Sequence, residues 1–112
     1  MSQNFSIRPM RQLVSEVKIF DMRMNDGSRN FADLPEIASF AAMRNHVGSF
    51  EGAVDTEFIT DEVIEMWLYF DYRGHRFSVN NQHGDYWFFV DDPACPEPIL
   101  VEVMQHFAKI NQ

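Results

Sequence analysis

The sequence predicts an α+β fold: N-terminal helices, then an antiparallel meander of three to four strands, then a C-terminal helix packed on one face of the sheet. Three observations carry that expectation. From Ile64 to Tyr72 the chain alternates, with Ile64, Met66, Leu68, Phe70 and Tyr72 on one side and Glu65, Trp67, Tyr69 and Asp71 on the other. Arg73-Gly74 follows at once as a two-residue hairpin turn. Past Pro96 and Pro98, residues Leu100, Val103, Phe107 and Ile110 recur at helical spacing.

Taken in order, residues 1–7 are expected to fray and residues 8–112 to form one domain. Pro9 suits the first turn of a helix, and Leu13, Val17, Phe20 and Met24 then recur with helical period. A strand over Val17–Met24 competes with that helix, because a β-branched and aromatic run also suits a sheet. Asn25-Asp26-Gly27 ends the segment in a turn. Asp33-Leu34-Pro35-Glu36 reads as a capping box, with Ile37, Phe40, Ala41 and Met43 or Arg44 following and Gly48 past the end. Val54, Thr56 and Phe58 alternate in a weak first strand. His75 to Asn80 return from the Arg73-Gly74 turn, Asn81-Gln82-His83-Gly84 is rich in turn formers, and Tyr86-Trp87-Phe88-Phe89-Val90 has strong β propensity. Asp91-Asp92-Pro93 closes the sheet, and Glu97 suits the positive end of the last helix, with Lys109 at its other end.

Pairing the strands around Arg73-Gly74 sets Tyr72 opposite His75, Asp71 opposite Arg76, Phe70 opposite Phe77, Tyr69 opposite Ser78, Leu68 opposite Val79 and Trp67 opposite Asn80. A four-residue turn in the next hairpin would set Phe77 opposite Phe88, Val79 opposite Tyr86, Ser78 opposite Trp87 and Arg76 opposite Phe89; a two-residue turn changes partners but not faces. One face then carries Leu68, Phe70, Phe77, Val79, Phe88 and Val90, the core face for helices. The other carries the candidate interaction residues Trp67, Tyr69, Asp71, Arg76, Ser78, Trp87 and Phe89, interleaved with Asn80. That face is too aromatic for bare solvent and too polar for a full core. Three covers compete: the chain's own first helix or strand, a second copy in a two-fold dimer, and a foreign protein or small ligand.

Charge narrows the partners. The 112 residues carry a formal charge of −8, and residues 46–72 hold no Lys or Arg but seven acids: Glu51, Asp55, Glu57, Asp61, Glu62, Glu65 and Asp71. A nucleic-acid binder needs a basic stripe, and an anionic membrane surface repels this charge, so neither partner is expected. The first six of those acids form a candidate acidic docking region for a basic partner; the plainer reading is a solvated surface. No run of 18 apolar residues or signal-type N-terminus is seen, and a single cysteine excludes an intramolecular disulfide, which fits a cytoplasmic, reducing compartment.

The chemical signals are weak. His46, His75, His83 and His106 lack the spacing of a zinc site, and no metal is expected. Cys95, beside the C-terminal helix, reads as a packed thiol rather than a nucleophile. Asp61-Glu62 and Asp91-Asp92 read as turn acids, and no phosphate loop, nucleophile elbow or paired-cysteine motif occurs. No catalytic residue or cofactor is therefore assigned. The expectation is a small, non-enzymatic, bacterial-type cytoplasmic protein acting by protein–protein contact with a protein partner or as a homodimer. Its most concrete form is an inhibitor or immunity-type partner of a basic protein such as a nuclease. The alternative is a small-ligand binder or minor enzyme using Trp67, Tyr69, Arg76 and Trp87.

Overall fold

A computed structural model describes residues 17–61 and 64–111. The chain is α+β, and among the described residues its sheet has six strands rather than three or four, all neighbours antiparallel. The elements are β1 (Met22–Arg23), β2 (Arg29–Leu34), α1 (Phe40–Gly48), β3 (Ala53–Thr60), β4 (Met66–Tyr72), β5 (His75–Asn80), β6 (Tyr86–Val90) and α2 (Glu97–Phe107), followed by a 3₁₀ turn over Ala108–Asn111. Strand order across the sheet is β1-β2-β6-β5-β4-β3. The β3–β6 meander is thus extended by two strands from earlier in the chain.

Those two strands correct the expectation of N-terminal helices. Residues 1–16 and the predicted helix positions within them lie outside the described residues; the remainder, 17–24, is not helical and ends in β1. Asn25-Asp26-Gly27 does turn, with the Asp26 carboxylate accepting from both the backbone N–H and hydroxyl of Ser28, and Gly27 at φ 91°. Asp33 and Leu34, read as a helix start, instead end β2. The alternation of β2 was hidden by a bulge between Asn30 and Ala32, which sends both Phe31 and Ala32 into the core. The cap lies further on: the Ser39 hydroxyl accepts from the Ala42 N–H at 3.1 Å. Ile37, expected on the buried stripe, is 72% exposed, while Met43 and Val47 face inward.

The β4–β5 hairpin has the predicted register at every pair from Tyr72↔His75 to Trp67↔Asn80. Arg73 and Gly74 both have positive φ, 50° and 80°, as the tight turn that matches strand twist requires. Arg73 is held there by its Nε, which donates to Glu102 at 2.8 Å and to the Tyr72 hydroxyl at 3.2 Å. The β5–β6 register differs from expectation by two residues, with Phe77↔Val90, Ser78↔Phe89, Val79↔Phe88 and Asn80↔Trp87. The faces survive, as an even shift requires. The longer loop leaves Asn81 able to hold the start of β4, where its side chain accepts from the Met66 N–H and donates to the Ile64 carbonyl. Ile64 itself lies outside β4, 69% exposed, because the Asp61 carboxylate takes the N–H groups of Ile64 and Glu65.

Both described helices bury their stripes against one sheet face. Met43 and Val47 of α1 and Leu100, Val103, Met104 and Phe107 of α2 join Leu68, Phe70, Phe77, Val79, Phe88 and Val90 in a single core. Phe107 stands at its centre, 5.0 Å from Phe88 and 5.8 Å from Phe70 between ring centroids. Pro96 precedes the first turn of α2, and Ile110 packs on the core from the 3₁₀ turn.

Candidate functional site: the open face of the sheet

Side chains alternate along each strand, so the residues beside Leu68, Phe70, Phe77, Val79 and Phe88 point to the opposite face. The register arranges them in rows. One row runs Ile59–Trp67–Asn80–Trp87–Asp33 across β3, β4, β5, β6 and β2. The next runs Glu57–Tyr69–Ser78–Phe89–Asn30–Met22, from β3 to β1. A third holds Val54, Asp71 and Arg76. No described helix packs on this face.

All seven candidate interaction residues therefore share one face, but not one environment. Trp67, Tyr69, Ser78 and Trp87 are half-buried, and Asp71 and Arg76 are exposed. Phe89 is only 8% exposed and its row neighbour Asn30 only 1%, so the face is closed where these two stand side by side, while Asp33 beside Trp87 stays exposed. There Asn30 donates from Nδ2 to the carbonyls of Phe88 (2.9 Å) and Ala32 (3.2 Å), while its buried Oδ1 has no partner. The remaining rings have polar company. His83 stacks on Trp87 with centroids 3.9 Å apart. The Arg76 guanidinium lies 4.8 Å from the Tyr69 centroid and 3.7 Å from a Glu57 oxygen. Asp71 stands opposite Arg76, yet the ion pair drawn at Arg76 is with Glu57 on the outer strand.

Six members of this face were not placed on it by the sequence: Met22, Asn30, Asp33, Val54, Glu57 and Ile59. Asn30 and Asp33 were missed because the bulge hid β2, and Met22 because its segment also carries a helical spacing. Val54 and Ile59 point outward together only because a second bulge, between Asp55 and Glu57, resets the alternation of β3. They are 61% and 47% exposed, and Met22 is 44% exposed, so the face is rimmed by apolar side chains.

The members of the candidate acidic docking region have different settings. Asp55 pairs with Arg44 at 3.0 Å, whereas Glu57 lies on the open face. Asp61 closes the β3–β4 loop, Glu51 is exposed before β3, and the Glu65 carbonyl accepts from the Thr60 hydroxyl. Glu62 lies outside the described residues.

Elsewhere, chemistry-bearing residues serve packing. Cys95 is 3% exposed, and burial, aided by Asp92, pushes its thiol up to about 11. Burial likewise raises the Tyr86 phenol to about 12, with its hydroxyl donating to the Ala38 carbonyl. His46 and His106, sixty residues apart, meet at the ends of the two helices: each Nε2 lies 2.6–2.7 Å from the other's backbone oxygen, and the rings stack at 3.9 Å. Burial holds His106 below the usual imidazole value. Among the described residues no group of three His, Cys, Asp or Glu side chains forms a metal-ligand cluster, and no helix is long and apolar enough to cross a membrane. A cleft of about 530 Å³ lies between the start of α1 and β3, lined by Glu36, Ile37, Phe40, Phe58 and Thr60; its carboxylate, Glu36, accepts from Asn81. No family model, curated protein or solved structure matches the chain.

Proposed function

We propose that this is a small non-enzymatic protein that acts by binding another protein through the open face of its sheet. One observation carries the reading: Trp67, Tyr69 and Trp87 sit as half-exposed neighbours, with Ile59 and Val54 beside them, while every described helix packs on the opposite side. Aromatic rings interleaved with Ser, Asn, Asp and Arg have the composition of an interface core with hydrogen-bonding neighbours. Leaving such rings wet forgoes roughly 25 cal/mol per Å² of apolar area, which a partner recovers.

The face, rather than the sheet edge, is the better surface for contact. Of the two outer strands, β1 is only two residues long, and β3 carries Asp55 and Glu57 and a bulge between them, features that discourage strand addition. The cleft beside α1 offers a small ligand one carboxylate already engaged by Asn81, so no observation raises the ligand-binding alternative above this reading.

The test is retention of a partner by the tagged full chain in its native host, beside Trp87→Arg, which puts a charge in the middle of the contact. A protein retained by the wild type and lost by a variant that still folds and melts normally supports the reading. Equal retention by both chains contradicts it.

A further inference from the structure

Resting on that contact reading, we infer that the partner presents a cluster of arginine or lysine side chains to this face, and that the rings and the carboxylates between them receive it together. The strand positions of the face hold three acids, Asp33, Glu57 and Asp71, against one base, Arg76. Asp33 is the row neighbour of Trp87, and Glu57 is the row neighbour of Tyr69. Each of these two carboxylates therefore stands beside an aromatic ring whose π-face attracts cations.

The chain supplies its own example of the pairing. Arg76 lies over Tyr69 at 4.8 Å and against Glu57 at 3.7 Å, a guanidinium held by a ring and a carboxylate at once. Trp87 and Asp33 are row neighbours towards the other end of the sheet, with His83 stacked on the Trp87 ring at 3.9 Å, so a basic group of the partner would meet the Asp33 carboxylate beside that stack. A second copy of this chain fits less well. Two such faces brought together would oppose acids to acids, between molecules that each carry −8. A basic surface meets complementary charge and is steered towards it.

The two tryptophans of the chain, Trp67 and Trp87, are both on this face, so intrinsic tryptophan emission reports on it alone. The experiment titrates the full chain with a deca-arginine peptide, a deca-glutamate peptide and an uncharged Gly-Ser peptide of equal length. The arginine peptide is expected to give a saturable change in emission whose midpoint rises at least severalfold between about 50 and 300 mM salt, as screening weakens the contact. The other two peptides are expected to give none. A variant with Asp33→Asn, Glu57→Gln and Asp71→Asn is expected to weaken the response about tenfold or more in midpoint, as lost charge complementarity requires. A control with Glu36→Gln, Glu97→Gln and Asp92→Asn, which removes the same charge from positions outside this face, is expected to keep it.

An absent response to arginine, or equal weakening in both triple variants, overturns the inference. Self-association in sedimentation velocity that Trp87→Arg abolishes would overturn it too, by placing a second copy on the face. If the peptide fails but a native partner is still lost on Trp87→Arg, the inference falls while the contact reading stands with a partner of other chemistry. If both fail, the contact reading falls with it.

Discussion

At the residue scale, the informative group is Asn30. It is nearly fully buried on a face where Trp67, Tyr69 and Trp87 are part-exposed, and it satisfies two carbonyls at the β2 bulge while leaving its own oxygen unmet. Asn30→Asp removes both donors and buries a carboxylate opposite two carbonyl dipoles. The expected loss is about 3 kcal/mol or more at neutral pH, easing as acid neutralises the carboxylate, and denaturant unfolding at two pH values reads it. Nothing in the sequence announces this position. An Asn before Phe-Ala-Asp reads as a turn residue, and only the bulge and the β6 partner strand give it a buried role. Arg73, by contrast, was legible, because Arg-Gly between two alternating runs demands a tight turn.

At the scale of elements, legibility followed the regularity of the pattern. β4, β5 and β6 alternate without interruption, so their faces followed from the sequence, and only the β5–β6 register moved, by an even number. β2 and β3 contain bulges, and one extra residue is enough to break a period of two. The α2 stripe was read correctly because Leu100, Val103 and Phe107 are all fully buried. Phe107→Ala is accordingly expected to cost about 3–5 kcal/mol in denaturant unfolding, with little change if α2 docks some other way. The contact between helix ends was not legible, since no periodicity links His46 to His106. It nevertheless has a pH signature. Burial depresses the folded pKa of His106 below 6.5, so the unfolded chain takes up the proton first as pH falls. The stability of the pair is present above about 6.5 and declines as pH drops towards the folded value. Replacing His106 by Gln, which keeps a donor but cannot titrate, is expected to flatten the fall in melting temperature between about pH 7.5 and 5.5. An unchanged slope would mean that other groups set the acid sensitivity.

At the scale of the whole molecule, the chain builds one core and leaves the reverse side of its sheet without a described helix. Sequence reasoning separated the two faces because a two-residue turn fixed the β4–β5 register; it missed the extent of the open face because two of the strands were hidden. The acidic stretch was legible as charge but not in its contacts: Asp55 meets Arg44, Glu57 meets Arg76 on the open face, and Asp61 closes a loop. The central claim is that the open face serves contact rather than the fold. Adjacent residues test it most directly: Trp67 and Leu68 follow one another on β4 and point to opposite faces, the first half-buried and the second 0% exposed. Unfolding free energies of Trp67→Ala and Leu68→Ala are to be compared by denaturant titration. The expected loss is about 2–5 kcal/mol at Leu68 and less than about 1.5 kcal/mol at Trp67. An equal or greater loss at Trp67 would make its face a second core, closed by the chain itself, and would contradict the claim.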